Sequence, residues 1–244
     1  MSANFSAGQT SFMQAGFLSD GIENTISQIK NDYREEIKSV EMTSQEVTDW
    51  FFSHKVTGVL KQSDYLAFAL WSRCMSSCQA AVLLGKRGMR EEALTLLRNA
   101  FEGLCFSVAL VKDAEVAEKM SNQDRMERSK QARAMLDDED TNQILTDEQK
   151  NGLNNQVLDN GHGLKGISVY DAAKIAGMAQ LYHTLYRGLS LEAAHPSVTT
   201  AESAMDKDFS ILFKPSVENL ACVFDYADAI LKMGQAALKD IRGR

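Results

Sequence analysis

The stretch of this sequence that best suggests chemistry runs from Tyr182 to Pro196, YHTLYRGLSLEAAHP, and contains two of the four histidines. On a continuous α-helix four of its polar side chains share one face, at spacings of three and four residues: His183, Tyr186, Arg187 and Ser190. His195 follows just beyond the end of that helix, before the proline. The spacing predicts a polar site at a helix end.

A histidine beside an arginine places a titratable proton donor or acceptor next to a fixed cation. These two groups are the minimum for attacking a phosphodiester without a metal ion. We therefore assign His195 as the candidate general acid/base and Arg187 as the candidate phosphate clamp. The alternative is that the same Tyr-Arg-His group only satisfies the polar groups of a helix end.

A second polar pair, Arg98 and Glu102, stands at i and i+4 in the apolar stretch LTLLRNAFEGLCFSVAL. The flanking Leu97 and Phe101 indicate that the pair is partly buried, where charged groups require partners. The pattern predicts a polar network that ties this helix to another, with an exposed ion pair as the alternative. We assign the pair, together with Tyr186, Ser190 and His183, to the binding residues that surround the catalytic candidates.

The loop Gly161–Gly166, GHGLKG, matches the G-x-G-x-x-G pattern of dinucleotide-binding loops. That motif requires a preceding β-strand, whereas the preceding residues EQKNGLNNQVLDN cannot form a buried strand. The context favours a plain loop, in which Lys165 and exposed amide groups could still bind an anion. Nucleotide binding by residues 162–166 is kept as a third hypothesis.

The sequence predicts neither a metal site nor a cofactor. No two of the four histidines have the i,i+4 spacing of a helical zinc site. Cys74 and Cys78 do share a helix face, but their neighbours are apolar, which favours buried thiols over metal ligands.

Composition and periodicity predict the elements that position these residues. Only two prolines occur among 244 residues, 44% of which are hydrophobic, and helix-forming residues are abundant. We expect an all-α, single-domain helical bundle of about seven to nine helices over residues 18–244, preceded by a flexible tail, residues 1–17. The predicted helices run from Leu18 to Val40, from Thr43 or Ser44 past Val56, from Asp64 to Gly85, from Met89 to Lys112, from Asp113 to Met135, from Asp147 to Leu158, from Val169 to Ala176, from Met178 to Ser190 and from Lys214 to Ile241.

Charge and hydropathy restrict the partners. The net charge of −7 argues against a general basic surface for nucleic acid, and no DNA-specific signal is present. No segment resembles a signal peptide or approaches the ~20 apolar residues that span a bilayer. We therefore expect a cytoplasmic protein without a membrane partner. Self-association is expected, because the helices carry more apolar surface than a thin bundle can bury.

Three pieces of the chain together resemble DUF5677, a family of bacterial and phage proteins of unknown function. The first is LLRNAFEG with Arg98 and Glu102, the second begins with Ile167-Ser168-Val169, and the third is YHTLYRGLSLEAAHPS. The resemblance extends over roughly residues 63–235. Its most specific part is the pattern of Tyr186, Ser190, His195 and Pro196.

The helical layout of that family, with an arginine followed by a histidine, is similar to HEPN domains, which are helical dimers common in toxin and phage-defence systems. Many HEPN domains are metal-independent ribonucleases that place R-x(4–6)-H from each subunit in a shared cleft. In this chain seven residues separate Arg187 from His195, and Gly188 stands where a polar residue usually follows the arginine.

Two functions follow as hypotheses. The first is a HEPN-like, metal-independent ribonuclease or nucleotide-processing protein of a bacterial defence or toxin system, acting on RNA or a nucleotide through His195 and Arg187. The second is a non-catalytic helical module that binds a partner protein or a small ligand, with the same residues as a structural cluster. The acidic net charge favours the second hypothesis.

Overall fold

The structure is a computed structural model that describes residues 11–53, 61–158, 163–194, 197–202, 204–205, 207–211 and 213–239. It is 83% helical, and the described residues contain no β-strand beyond an isolated bridge between Met205 and Ile211. The predicted all-α fold class is therefore confirmed.

Thirteen α-helical segments are formed by the described residues: α1 Phe12–Ala15, α2 Glu23–Asp32, α3 Arg34–Ser53, α4 Gln62–Lys86, α5 Arg90–Lys112, α6 Glu115–Asp137, α7 Glu139–Ile144, α8 Asp147–Leu158, α9 Val169–Ala176, α10 Ala179–Leu181, α11 Arg187–Leu189, α12 Val198–Glu202 and α13 Ala221–Lys239. Two π-helical turns, Tyr182–Tyr186 and Ser190–Ala194, lie on either side of α11. We call residues 179–194 the π segment. Several of the pieces are short, which is why the helices outnumber the predicted seven to nine.

The hairpin of α4 and α5 forms the centre of the fold, as the Gly85–Gly88 break predicts. Gly88 adopts a φ of 76°, the left-handed conformation that favours glycine after a helix end. A Cβ atom at this position would also lie only 2.7 Å from the Cβ atom of Pro215. Both the turn and the close approach of the 215–216 chain therefore require glycine.

α13 closes the core by packing across α4 and α5. Its Gly234 lies directly against the buried indole of Trp71, where a Cβ atom would come within 2.0 Å of the ring. Phe101 and Phe224 are fully buried in the same core. The small residue at 234 thus sets how closely α13 approaches α4.

α6 and α8 pack on each other and form a polar arm beside this core. α8 buries none of its residues, and α6 buries only four: Val116, Asn122, Ser129 and Ala132. The predicted break at the acidic run is observed here, since α6 ends at Asp137. The Asp138 carboxylate accepts a hydrogen bond from the Thr141 backbone N–H at 2.8 Å and so caps α7.

α5 is long and apolar enough to cross a membrane by length and composition, contrary to the expectation from sequence. In this fold the rest of the chain buries 56% of the most apolar 18-residue stretch of α5. Leu97 and Leu104 are fully buried and contact the other helices of the core. Such burial is typical of a core helix, and core helices can have the same length and composition.

Two predicted helix boundaries are wrong. α3 continues through Thr43 and Ser44, and the break falls at Tyr33, whose hydroxyl donates a hydrogen bond to the Val217 carbonyl at 2.9 Å. The last helix begins at Ala221 and not at Lys214. The residues before it are held against the α4–α5 turn instead, because the Ser216 N–H donates to the Gly88 carbonyl at 2.8 Å.

Part of the segment predicted as a flexible tail, residues 1–17, belongs to the described structure. Residues 11–18 form short helical turns, and the rings of Phe12 and Phe17 both lie within 5.6 Å of the Phe213 ring, centroid to centroid. An Arg87 guanidinium nitrogen also donates to the Phe17 carbonyl at 2.7 Å. Residues 1–10 lie outside the described ranges.

Candidate functional site

α9 positions the start of the π segment. Ser168 and Asp171 form a capping box, in which the Ser168 hydroxyl donates to the Asp171 carboxylate at 2.6 Å and accepts from the Asp171 N–H at 3.1 Å. Gly177 ends α9 with a φ of 82°, and Lys112 of α5 donates to the Ala176 carbonyl at 2.6 Å. Both ends of α9 are thereby fixed before the chain enters the π segment.

Arg98 and Glu102 of α5 meet Tyr186 and Ser190 of the π segment in one hydrogen-bonded group, which we call the Arg98 cluster. The Arg98 guanidinium donates through Nε to the Ser190 hydroxyl at 2.9 Å and through Nη2 to the Tyr186 hydroxyl at 2.6 Å. The Tyr186 hydroxyl donates to Glu102 Oε1 at 2.5 Å, and the same oxygen lies 3.2 Å from Arg98 Nη2. The sequence predicts that the Arg98–Glu102 pair has polar partners on another helix, and residues of the Tyr182–Pro196 stretch are those partners.

The cluster is partly shielded from water. The side chains of Arg98 and Glu102 are 18% and 27% exposed, and Tyr186 is buried. Burial, followed by the hydrogen bond to Glu102 and the charge of its carboxylate, raises the pKa of Tyr186, and Arg98 only partly opposes this. Tyr186 is thus a neutral phenol at physiological pH, and a hydrogen-bond donor rather than a base.

Aromatic rings support the cluster from the side of the π segment. The Tyr182 and Tyr186 rings stack at 4.9 Å, and the Arg98 guanidinium carbon lies 4.7 Å from the Tyr186 ring centroid. Tyr170 of α9 contacts the Tyr182 ring at 5.2 Å. These contacts fix the orientation of the Tyr186 ring, and with it the position of its hydroxyl.

The prediction that four polar side chains share one face of a regular helix is wrong. Tyr186 and Ser190 face α5, whereas His183 and Arg187 are exposed to solvent. The π-helical turn over 182–186 is the reason, because a wider turn changes the angular offset between successive side chains. His183 contacts the Tyr170 ring at 5.4 Å, and Arg187 makes no hydrogen bond or ion pair with the described residues.

The remaining predicted site residues are Lys165, which does not join the Arg98 cluster, and His195. Lys165 is exposed and lies against α6, where its carbonyl accepts a hydrogen bond from the Asn122 amide at 3.4 Å. His195, the candidate general acid/base, lies outside the described residues, as does His162 of the glycine-rich loop. The role assigned to His195 stays a prediction.

Two further α5 residues hold the π segment and were not singled out from the sequence. The Thr95 hydroxyl donates to the Ala193 carbonyl at 3.1 Å, and Arg90 Nη2 lies 3.2 Å from Glu192 Oε2. A signal was present, since Arg90 and Arg98 are eight positions apart and so lie close to one face of a helix. Bonds from α5 thus hold the π segment at Tyr186, Ser190, Glu192 and Ala193.

Arg90 also borders a cavity of about 480 Å³ between α5, the π segment and the start of α13. Leu94 and Leu185 contribute apolar walls, and Glu192 and Tyr226 contribute polar groups. The cavity is a second place, distinct from the Arg98 cluster, where the π segment presents polar side chains.

Comparison with known protein families gives one match. The family described as "Family of unknown function (DUF5677)" matches residues 64–210, which is more than half of the chain. The chain belongs to the DUF5677 family. No curated protein and no solved structure matches it.

The DUF5677 match includes every residue of the Arg98 cluster, and also His195. The match begins at residue 64 and ends at residue 210, whereas the resemblance seen in the sequence extends over roughly residues 63–235. α13, which forms one wall of the cavity, therefore lies beyond the part of the chain that matches the family.

Proposed function

We propose that this protein is a non-catalytic helical binding module, in which the Arg98 cluster holds the π segment on α5. The observation that supports this proposal is that the cluster uses its hydrogen-bonding groups internally. Nε and Nη2 of Arg98 each have a partner on the π segment, and Nη1 lies 3.4 Å from the Asn99 side-chain oxygen. Glu102 Oε1 accepts from both Arg98 and Tyr186.

A group with this arrangement stabilises a fold more readily than it binds a substrate. If Nε or Nη2 of Arg98 turned towards a ligand, a half-buried partner would lose its hydrogen bond, at a cost of about 1–3 kcal/mol. The net charge of −7 supports the same function, because proteins that act on RNA usually present a basic surface. The module accordingly binds a partner protein or a small ligand.

The second candidate is a HEPN-like ribonuclease or nucleotide-processing protein of a bacterial defence or toxin system. Arg187 favours it, because this exposed cation has no partner among the described residues and lies between two π-helical turns, a geometry frequent at functional sites. In that function Arg187 would bind the phosphate, and His195 would transfer protons without a metal ion.

One experiment separates the two functions by measuring RNA cleavage and melting temperature on the same samples. The wild-type protein, His195→Ala and Arg187→Ala are incubated with single-stranded RNA in the presence of EDTA, with Arg133→Ala on α6 as a control for loss of an exposed arginine elsewhere. The binding module predicts no cleavage by any of the four proteins. Cleavage by the wild type that is lost in His195→Ala, with an unchanged melting temperature, would establish the second function and overturn the first.

Self-association and a cytoplasmic location are part of the proposal. Exposed apolar side chains near the α4–α5 turn support association between copies of the chain: Leu18, Ile211 and Phe213. Four free cysteines, three of them buried, suit a reducing compartment. Sedimentation of the wild type at increasing concentration tests the first point, and a constant monomeric mass would contradict it.

A further inference from the structure

The cavity beside Arg90 combines a cation, apolar walls and open space. Its volume of about 480 Å³ lies within the range of small-molecule sites in proteins, roughly 300–1,000 Å³. Three elements line one side of it: the first two turns of α5, residues 184–192 of the π segment, and residues 219–226 around the start of α13.

Arg90 bonds to a backbone carbonyl on the protein side of the cavity, whereas its carboxylate partners face the solvent. Its Nε donates to the Asn219 carbonyl at 3.3 Å, and its side chain is only 21% exposed. It has two carboxylate partners, Glu91 at 3.6 Å and Glu192 at 3.2 Å, whose side chains are 38% and 55% exposed. Ion pairs with such exposure contribute only about 0–1 kcal/mol, so another anion can replace the Glu192 carboxylate at little cost.

Two helix N-termini also border the cavity. α5 begins at Arg90 itself and α13 begins at Ala221, and both helices are long enough to concentrate partial positive charge at this end. Glu91 and Glu92 offset the charge of α5, but the first turn of α13 carries no acidic residue. Arg90 Nη2 lies 4.0 Å from the Cys222 sulfur, so the cation and the start of α13 act on the same space.

Gly188 shows that the space extends to the backbone of the π segment. A Cβ atom at this position would meet no atom within 4 Å. Leu94 and Leu185 line the cavity nearby, and Tyr226 lies on the wall formed by α13. These walls suit an apolar or aromatic body rather than a second charged group.

We infer that this cavity binds a small organic anion: its carboxylate or phosphate pairs with Arg90 in place of Glu192, and its apolar or aromatic body lies between Gly188 and Leu94. The inference rests on the proposed binding function and specifies that the module binds a small ligand. It also gives the Gly188 position a role, because a larger side chain there would occupy the space of the ligand.

Calorimetric titration of the full-length protein with three simple probes tests the site. Benzoate and phenyl phosphate carry the expected anion on an aromatic ring, and benzamide is the neutral control. We expect saturable binding of at least one anion and none of benzamide, and the anion that binds more tightly identifies the preferred head group. Loss of the charged hydrogen bonds in Arg90→Met should weaken binding about ten- to a hundredfold.

Glycine substitutions provide a matched pair of variants. Gly188→Leu should abolish binding, whereas Gly152→Leu on α8 should leave it unchanged, although neither Cβ atom would meet another atom within 4 Å. Glu192→Gln removes the competing carboxylate and should tighten binding severalfold. This third variant tests the site independently if Gly188→Leu fails to fold.

Three results would overturn the inference: no saturable binding of either anion, equal binding of benzamide, or equal binding by folded Gly188→Leu. Any of these would leave a partner protein as the ligand of the module. The proposed function itself fails on a different result, RNA cleavage that depends on His195, whatever the probes do at Arg90.

Discussion

Two arginines on the same helix meet the π segment in opposite ways. Arg98 is surrounded by partners and takes part in a closed hydrogen-bonded group with Glu102, Tyr186 and Ser190. Arg90, eight residues earlier, pairs with an exposed glutamate and borders an open cavity. The first arrangement lies wholly within the DUF5677 match, and the second reaches beyond it into α13.

The difference teaches how the surroundings of one type of side chain favour stability in one place and, as we propose, binding in another. A cation whose Nε and Nη2 donors have half-buried partners cannot release them without leaving polar groups unsatisfied. A cation whose counterion remains in water can exchange it for a ligand of the same charge. Three substitutions test the contrast, and their expected effects on the free energy of unfolding decrease in the order given.

The largest effect is expected for Arg98→Met, which keeps most of the aliphatic volume and removes the charge. It breaks the hydrogen bonds to Tyr186 and Ser190 and leaves the half-buried Glu102 carboxylate without its cation. The expected loss is about 2–3 kcal/mol, measured by urea denaturation. Arg187→Met, an exposed arginine on the π segment, should change stability by less than about 0.5 kcal/mol. Equal losses in the two variants would show that the Arg98 cluster does not hold the fold.

A smaller effect is expected for Tyr186→Phe, which keeps the stacked ring and removes only the hydroxyl. We expect a loss of about 1–2 kcal/mol at neutral pH, because Arg98 and Glu102 each lose one hydrogen-bond partner.

This variant also isolates the pH dependence of the cluster. The pKa of Tyr186 is raised in the folded chain, first by burial and then by its hydrogen bond to Glu102. Stability from the neutral phenol is therefore complete below about pH 10, where tyrosine ionises in the unfolded chain, and is lost as the pH rises towards the folded-state pKa. Denaturation of both proteins between about pH 8 and pH 11 should show the advantage of the wild type shrinking in the alkaline range. A constant difference across that range would contradict the raised pKa.

The smallest effect is expected for Arg90→Met, which should lower stability by less than about 1 kcal/mol while weakening binding at the proposed anion site. The contrast between the two arginines depends on this result. If Arg90→Met destabilises the protein as much as Arg98→Met does, Arg90 is a structural residue and the two regions are alike. Thermal unfolding of the two variants side by side makes the comparison directly.

Several elements of this molecule could be predicted because their signals are local. The α4–α5 hairpin follows from an apolar helix interrupted by Gly85–Gly88, and the observed turn requires the left-handed φ of Gly88. The need of Arg98 and Glu102 for partners follows from charged residues in an apolar stretch, and the structure supplies Tyr186 and Ser190 as those partners.

Other elements depend on contacts between residues far apart in the chain. Nothing local marks Tyr33 as the end of a helix, and its hydroxyl bonds to Val217. Likewise, the backbone at Ser216 bonds to Gly88 and does not continue into α13, although Pro215 is well suited to a first helical turn. Local capping preferences are worth only about 1 kcal/mol, so contacts of this kind can override them.

The amino-acid sequence by itself determined the helical class of this protein and the polar residues that need partners, because helix propensity, apolar periodicity and the cost of burying charge act over short distances. Only the tertiary structure decided which face each residue of the π segment presents. The two π-helical turns of this segment pack against α5, so that Tyr186 and Ser190 face α5 while Arg187 is exposed to solvent. The same packing brings the start of α13 next to Arg90 and so creates a cavity that no single stretch of sequence encodes.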